Sequence, residues 1–212
     1  MADTKKPCVP IIAIPTTAGT GSEVTNVAIL SDKAAQLKKG IVSDYLLPDV
    51  ALISPQMTLT CPRGVTAASG VDALVHAIES YLSLNASPIT DALAIGAIKL
   101  IASALPKAYA NPANLQARDD MATASLMAGM AFGNADIASV HCISEAIGGM
   151  YDTPHGIGNA IFLPFVMPKI HERYFFMADM LSILYAARRG DRRFVPLLVI
   201  GVLCNDAGLV EQ

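Results

Sequence analysis

The chain has 212 residues, of which 53% are hydrophobic and 16% charged, with a formal net charge of −3 at pH 7. Because no stripe of lysine and arginine runs along it, the composition excludes the nucleic-acid-binding classes that depend on clustered positive charge. No apolar run approaches the roughly 20 residues that cross a bilayer, and the polar opening MADTKKPCVP is unlike a secretion leader, so we expect a cytoplasmic protein without a membrane segment.

The cysteines are few and widely separated. They stand at Cys8, Cys61, Cys142 and Cys204. Without a CxxC pair or a dense cysteine framework, they are predicted to be reduced and mostly buried thiols.

The first quarter of the chain, residues 8–57, has the pattern of strands and loops. Its apolar runs PIIAIPTT, VTNVAIL and DVALISP are short and bounded by polar residues or proline. From Pro62 onward Ala, Leu, Ile and Met recur at helical spacing, before a poorly patterned tail. The predicted helices span 62–84, 88–109, 114–133, 136–148 and 155–170. The expected fold class is mainly α with an N-terminal α/β part, and the boundary falls near residues 57–62.

PTTAGTGSEVT, residues 15–25, is a Thr- and Gly-rich turn between two predicted strands. Its hydroxyls and free backbone amides suit an anion such as phosphate. Glycine and threonine are also ordinary residues of a tight, hairpin-like turn that binds nothing. The segment matches neither GxGxxG nor a P-loop, since Gly19 and Gly21 lack the third glycine and the Gly-Lys-Ser/Thr ending. Its residues alone leave both interpretations open.

In GVDALVHAIESY, Asp72 and His76 are four residues apart, so a helix projects both side chains from one face. That spacing allows both to bind one ion. Their neighbours Val75 and Ile78 are apolar, which places the pair against a core, where an unpaired charge is costly. A structural Asp–His hydrogen bond at a helix surface explains the same pattern.

The segment VHCISEAIGGMYDTPHGIGNAI has His141 and His155 on either side of the pair Gly148-Gly149. His141 lies in a helical stretch, and Thr153-Pro154 is typical of a cap and first turn that begin a new helix at His155. Two helix ends could therefore converge on one point. Three imidazoles and one carboxylate form a donor set that suits zinc or iron(II).

Four separated motifs, taken in chain order, resemble the iron-containing alcohol dehydrogenase family over roughly residues 8–168. They are PTTAGTGSEVT, PDVALISPQMTLTCP, GVDALVHAIESY and VHCISEAIGGMYDTPHGIGNAIFLPFVM. The resemblance implies a dehydroquinate synthase-like architecture. In it, residues 1–57 end a dinucleotide-binding α/β domain, and residues 58–212 form an all-helical metal-binding domain with a divergent tail at 170–212.

The same resemblance implies a metal site. The ligands of Fe2+ or Zn2+ would be Asp72, His76, His141 and His155. A turn at Gly148-Gly149 would then bring two helices to one ion.

The chemistry implied by the resemblance is hydride exchange between NAD(P) and a primary alcohol or aldehyde, with the metal acting on the substrate oxygen. Thr16, Thr17, Thr20 and Thr25 would line the cofactor. Lys39 falls where the family has a cofactor-contacting lysine. A homodimer or a larger homo-oligomer is also expected.

Three departures from the family pattern stand out. No GGGS turn of a nucleotide-binding half precedes Cys8, so the chain is expected to be a fragment, a truncated gene product or a chain altered by a frameshift. Many members have a histidine four residues after the one matched by His141. Here Glu145 stands instead, as a carboxylate that supports His141, a catalytic proton acceptor or an ordinary solvent-facing glutamate. After Lys169 the tail leaves the family pattern, and His171 within it is predicted at the surface. A catalytically inactive metal-binding module is therefore the alternative function.

Overall fold

A computed structural model describes residues 9–167, and these form two small sheets followed by a group of helices. The strands are β1 (Ile12–Ala13), β2 (Val27–Asp32), β3 (Leu37–Val42) and β4 (Val50–Ala51). The helices are α1 (Arg63–Leu82), α2 (Pro88–Ala110), α3 (Leu115–Ala135), α4 (Ser139–Tyr151) and α5 (His155–Val166). The predicted fold class, mainly α with an N-terminal α/β part, is confirmed.

The strand pairing shows whether the Thr- and Gly-rich segment is a hairpin turn. β1 pairs with β4 in parallel, while β2 and β3 form an antiparallel hairpin. Residues 15–25 therefore join strands of two different sheets and are not a hairpin turn. They include a short 3-10 helix, Ser22–Val24, that packs on α3.

Glycines hold this segment close to the helices. Gly21 has a φ of 61°, and a Cβ there would lie 2.6 Å from the Cα of Gly129 in α3. A Cβ at Gly19 would lie 2.6 Å from the carbonyl oxygen of Ser69 in α1. Since real Cβ atoms do not approach so closely, only glycine allows the turn to lie directly on both helices.

α1 is the central helix. It is buried along most of its length and contacts the other four helices of the described residues. Small residues permit this packing, because Gly70 faces the side chain of Leu105 in α2 and Gly156 of α5 faces the backbone of Ala68. The core beside α1 is rich in alanine, with larger side chains such as Ile101 fully buried. The result is a closely spaced helical group whose central member carries the first two predicted ligands.

The helices follow the predicted ranges closely, except at α4. α1, α2 and α3 begin and end within two residues of the predictions. α4 was predicted at 136–148 but runs from Ser139 to Tyr151. α5 begins at His155 as predicted, although Pro154 rather than Thr153 stands at the N-cap position. Its predicted end near residue 170 lies outside the described residues.

The predicted turn at Gly148-Gly149 is wrong. Both glycines lie inside α4, and the chain turns after it, where Asp152 has a φ of 55°. The glycines serve another purpose, because a Cβ at Gly149 would lie 2.7 Å from the Cα of Leu37 in β3. They let the hairpin pack against the helix, a contact between distant segments that local sequence does not reveal.

The sequence was expected to contain no segment with the length and hydropathy of a membrane helix, but α2 has both. It reaches a mean hydropathy of 1.5 over an 18-residue window, because only scattered charges such as Lys99 interrupt it. By length and composition it could span a membrane, and the core helix of a soluble protein passes the same test. Here α2 packs against α1 and α3.

Candidate metal centre

One face of α1 carries three buried ionisable side chains. Asp72, His76 and Glu79 are 4%, 6% and 1% exposed. Their spacing of four and then three residues is that of neighbouring positions on a helix. The surface hydrogen bond between Asp72 and His76 that the sequence left open is not how the structure uses them, since both are buried and each bonds a different partner.

His141 is held at the start of α4 by Glu79. Its Nδ1 lies 2.6 Å from Glu79 Oε2, and the same carboxylate accepts backbone N–H groups from Ala138 at 3.0 Å and Val140 at 2.6 Å. α4 has no capping side chain of its own at the N-cap position. The Glu79 carboxylate therefore caps the first turn of α4 and orients the His141 ring, leaving its Nε2 directed toward Asp72.

His155 reaches the same place from the first residue of α5. Its Nε2 lies 3.5 Å from Asp72 Oδ1, and His141 Nε2 lies 3.6 Å from that oxygen. The donor atoms of Asp72, His141 and His155 all lie within 4.8 Å of one another. Donors bonded to one tetrahedral ion at about 2.1 Å are themselves roughly 3.4 Å apart, so these separations fit a shared ion.

His76 lies beside this group. Its ring stacks on that of His141 with centroids 4.4 Å apart, and on Phe132 with centroids 4.2 Å apart. Its Nδ1 donates to the carbonyl oxygen of Gly19 at 3.2 Å, which leaves Nε2 as the nitrogen with a free lone pair. The predicted fourth ligand is therefore adjacent and in a tautomer suited to binding a cation, and the ligand role of all four residues stays a prediction.

Asn159, one turn after His155, lies at the centre of the group and is fully buried. Its Nδ2 lies 2.6 Å from Asp72 Oδ1, 3.1 Å from His141 Nε2 and 3.3 Å from His155 Nε2. Its Oδ1 is buried and has no hydrogen-bond partner among residues 9–167.

The charges in the centre interact strongly. Burial alone would raise the pKa of Asp72, but the nearby imidazoles lower it to about 2, so the carboxylate stays ionised. Burial lowers the pKa of His76 to about 4 and also lowers that of His155. Burial opposes protonation of His141 as well, yet its bonds to Asp72 and Glu79 raise its pKa to about 9. An anionic carboxylate beside the neutral imidazoles of His76 and His155 is a site that attracts a divalent cation, and an ion bound there would displace the proton from Nε2 of His141.

The centre opens onto a cavity of about 340 Å³ between the β2–β3 hairpin and the helices. Phe132, Ile137 and the hairpin residues Val27 and Ile29 form its apolar walls. Its polar lining includes Thr20, Ser22, Thr25, Ser31, Lys38 and Glu145. Such a mixture of apolar walls and a few polar groups is typical of small-molecule sites.

The residues predicted to contact a cofactor divide into two groups. Thr20 and Thr25 line the cavity, whereas Thr16 and Thr17 are outside its lining. The cavity lysine is Lys38, while the predicted Lys39 points away and binds Asp32 Oδ2 at 2.6 Å. Consecutive strand residues face opposite sides, so only one of the two lysines can face the cavity. The cofactor role stays a prediction, and the geometry favours Lys38 for it.

Glu145 is half-buried and lines the cavity beside the metal centre. It lies one helical turn after His141 on α4, as its spacing predicted. The interpretation as an ordinary solvent-facing glutamate is less consistent with this position than a role toward a bound molecule.

Sequence reasoning missed Glu79, Asn159 and Lys38. For two of them a usable signal was present, because Glu79 follows His76 by three residues and Asn159 follows His155 by four. A search of the same helix face one turn after each predicted histidine would have found both residues. Nothing local distinguishes Lys38 from Lys39. The tail at 170–212 with His171 and Cys204, and also Cys8, lie outside the described residues. Cys61 is half-buried and Cys142 is exposed, so the prediction of mostly buried thiols is wrong for these two cysteines.

Two family models match the chain. The C-terminal model of the Fe-containing alcohol dehydrogenase family matches residues 66–187, and the iron-containing alcohol dehydrogenase model matches residues 1–55. Among curated relatives, long-chain-alcohol dehydrogenase 1 of Geobacillus thermodenitrificans is 51% identical over 168 residues, covering 79% of this chain and 42% of its own length. The NAD-dependent methanol dehydrogenase of Bacillus methanolicus is 43% identical, covering 91% and 53%.

Solved structures agree with the sequence matches. A 1,3-propanediol oxidoreductase superposes with a TM-score of 0.77 at 40% identity, over 98% of this chain and 56% of its own. Sulfoacetaldehyde reductase from Bifidobacterium kashiwanohense in complex with NAD+ superposes with a TM-score of 0.76 at 34% identity, over 98% and 58%. The chain thus spans about half the length of the relatives it matches. With more than half of its residues within one family model, the chain belongs to the iron-containing alcohol dehydrogenase family.

Proposed function

We propose that this chain is the metal-binding part of an oxidoreductase that exchanges hydride between NAD(P) and a primary alcohol or aldehyde. The observation that supports this most is the convergence of Asp72, His141 and His155 at the base of the cavity, with donor atoms within 4.8 Å of one another. Membership of the family adds support for the reaction class.

The residues that would hold the ion are Asp72, His76, His141 and His155. When bound, Fe2+ or Zn2+ would polarise the substrate oxygen as a Lewis acid, and NAD(P) would give or take the hydride. Nitrogen and carboxylate donors suit either metal. The buried carboxylate of Asp72 would neutralise part of the added charge, and Glu79 would keep His141 in its binding tautomer.

The cavity lining supports a cofactor that carries phosphate and a flat ring. Hydroxyls of Thr20 and Thr25 and the positive charge of Lys38 would bind its polar groups. Two relatives are named for the same cofactor class, the NAD-dependent methanol dehydrogenase and the reductase solved with NAD+. A substrate carbon would lie between Phe132, Ile137 and the hairpin, next to the metal centre.

Glu145 is the residue we propose as proton acceptor. It lines the cavity within the electrostatic reach of His155 and is half-buried, so a bound alcohol could donate its hydroxyl proton to the carboxylate directly or through one water. Replacing Glu145 by Gln should lower turnover at unchanged metal content. Equal turnover in the two proteins would remove Glu145 from the mechanism.

A second candidate function is metal binding without hydride transfer. It is favoured by the position of the metal centre, because Asp72, His141 and His155 all lie on helices and converge without a ligand from the two small sheets of residues 9–167. The same metal centre would then serve a partner chain or act as a structural site.

One experiment separates the two candidates. Metal content is measured by plasma mass spectrometry on the wild type and on His155→Ala, and NADH and NADPH are titrated while nicotinamide fluorescence is followed. Near-stoichiometric metal that is lost in the variant, with a fluorescence response and alcohol-dependent reduction of NAD(P)+, is the expected result. Metal without a fluorescence response would favour the second candidate. Equal metal content in both proteins would reject the assigned site.

We further propose a cytoplasmic homo-oligomer. The support for the oligomer is a group of large apolar side chains exposed on strands β1 and β4 and directly after them, namely Ile12, Ile14, Val50 and Leu52. An exposed apolar surface of this kind is usually covered by another protein surface. Light scattering on the purified chain should give a mass of at least twice 22.2 kDa.

A further inference from the structure

The junction between α3 and α4 contains a residue in a costly backbone conformation. Asp136 has a φ of 73° and a ψ of 175°. This combination is essentially restricted to glycine, because the Cβ atom of any other residue collides with the neighbouring peptide groups. An aspartate there raises the free energy of the folded chain, so the surrounding structure must hold it in place. Strained residues of this kind cluster at functional sites, where they fix a particular geometry.

Hydrogen bonds on both sides of Asp136 hold the junction. Its N–H donates to the carbonyl oxygen of Phe132 at 2.7 Å, which closes the last turn of α3. The carbonyl oxygen of Ala135 accepts the hydroxyl of Ser83, the residue directly after α1. On the other side, Oδ1 of Asp136 accepts the N–H of Ile137 at 2.9 Å. The aspartate side chain therefore fixes the peptide group that follows its own strained backbone.

The junction carries two apolar side chains into the cavity beside the metal centre. Phe132 lies one turn before Asp136, and Ile137 follows it directly. Ile137 lies in neither a helix nor a strand, so no repeating backbone hydrogen bonds fix its position. Because peptide groups are planar and move as units, a rotation about ψ of Asp136 would turn Ile137 out of the cavity wall.

We infer that Asp136 is a positioning residue that acts through Ile137, because its strained backbone and its carboxylate fix the apolar wall against which the carbon chain of an alcohol packs. This inference rests on the proposed function. It goes beyond that function by assigning chain-length selectivity to an exposed residue outside the cavity lining. Asp136 needs no contact with the substrate for this role.

The test measures kcat/KM for ethanol, 1-propanol, 1-butanol and 1-pentanol in the wild type and in variants. Asp136→Gly allows the same φ and ψ without strain but removes the carboxylate, so it frees the junction. Asp136→Asn keeps an oxygen acceptor in nearly the same shape, and Ile137→Ala removes the wall itself. Hydrogen exchange of the Ile137 amide, followed by NMR, reports the order of the junction independently of turnover.

Asp152→Gly is the matched control. Asp152 is also an exposed aspartate with a positive φ, 55°, and it lies at the other end of α4, outside the cavity lining. The substitution therefore relieves a comparable backbone strain without touching the wall. Asp152→Gly should match the wild type in its dependence on chain length and in the exchange of the Ile137 amide.

In the wild type, kcat/KM should rise about 4-fold for each CH2 group that packs against the wall. Asp136→Gly and Ile137→Ala should each lose most of that rise, while kcat for ethanol stays close to that of the wild type. The double variant should be no worse than Ile137→Ala alone, because residues that act through each other are not additive. The Ile137 amide should exchange faster in Asp136→Gly, and Asp136→Asn should restore both properties.

Several results would overturn the inference. An unchanged chain-length dependence in Asp136→Gly, together with faster exchange, would make Asp136 a structural residue only. Additive losses in the double variant would mean that Asp136 does not act through Ile137. The same chain-length dependence in the wild type and Ile137→Ala would reject the wall itself, even if Asp136→Gly did not fold. A wild type that oxidises none of these alcohols with NAD+ or NADP+ would reject the proposed function and the inference with it.

Discussion

At the scale of single residues, Glu79 holds one predicted ligand of the metal centre, His141, although Glu79 itself lies outside the predicted ligand set. Its buried carboxylate accepts the Nδ1–H of His141 and caps α4 through the backbone of Ala138 and Val140. The hydrogen bond to His141 lowers the pKa of Glu79 against the effect of its burial, which raises it. One carboxylate thus decides both where α4 begins and which nitrogen of His141 is available.

Replacing Glu79 by Gln should weaken metal binding about 10- to 100-fold. The NH2 group of the glutamine would donate to Nδ1 of His141, which moves the imidazole proton to Nε2 and blocks the nitrogen that faces Asp72. Isothermal titration with Zn2+ measures the loss. Glu145→Gln, which removes the same charge from α4 one turn after His141, should leave Zn2+ binding unchanged. Equal losses would mean that charge and not tautomer is what Glu79 provides.

Glu23 supplies a prediction about stability and pH. It is 4% exposed, and burial raises its pKa above 4.5, partly offset by a hydrogen bond to its own backbone. A raised pKa means that the folded chain binds this proton more tightly than the unfolded chain. Its contribution to stability is therefore present at low pH and is lost as pH rises through the raised pKa.

Glu23→Gln should accordingly raise the thermal midpoint at pH 7. A gain of about 1 kcal/mol corresponds to about 2–4 °C for a chain of this size. The difference should shrink below pH 4.5, where the glutamate also folds in its neutral form. Thermal unfolding followed by circular dichroism at pH 7 and pH 4 measures both. A midpoint that is lower for Gln at pH 7 would show that the carboxylate has a partner that stabilises it.

At the scale of elements, the hairpin of β2 and β3 depends on two glycines of α4. Gly149→Ala should destabilise the fold by about 1–3 kcal/mol, the usual cost of overpacking. The new Cβ would lie 2.7 Å from Leu37 Cα and 2.9 Å from Lys38 N, both backbone atoms that cannot rotate away. The hairpin would move, and Lys38 would leave the cavity. Denaturant unfolding measures the stability.

Gly64→Ala is the control for that change. Gly64 lies in the first turn of α1, is exposed and has nothing within 4 Å of its Cβ position. There alanine should stabilise the protein by about 0.5–1 kcal/mol through helix propensity. A Gly149→Ala protein that also gains stability would mean that β3 does not pack against α4 as described.

The elements themselves were predictable to different degrees. α1, α2, α3 and the start of α5 follow from helical periodicity and proline positions, which are local signals. β3 was not predicted, because apolar and polar residues alternate only weakly in LKKGIV and its glycine disfavours a strand. Its pairing with β2 and its packing on α4 make it a strand, and both involve residues far away in the chain.

For the whole molecule, the metal centre is the point where three helices meet. Asp72 lies on α1, His141 on α4 and His155 on α5, so an ion would connect elements separated by up to 83 positions in the chain. An ion that binds the folded state alone stabilises it by about 2.7 kcal/mol at a concentration 100 times Kd. Zn2+ should therefore raise the thermal midpoint of the wild type and leave His141→Ala unchanged. The same rise in both proteins would place the bound ion elsewhere.

The sequence by itself determined the helical class, the spacing of Asp72 and His76 on one helix face, and the family to which the motifs point. Tertiary structure decided what lies opposite each of those residues. His141 meets Glu79 across 62 positions and Asn159 meets Asp72 across 87. The spacing of apolar residues indicates which side of a helix faces inward, because that spacing depends on the local helical backbone alone. The partner found there depends on how distant helices pack, and that packing depends on the shapes of all the side chains between them.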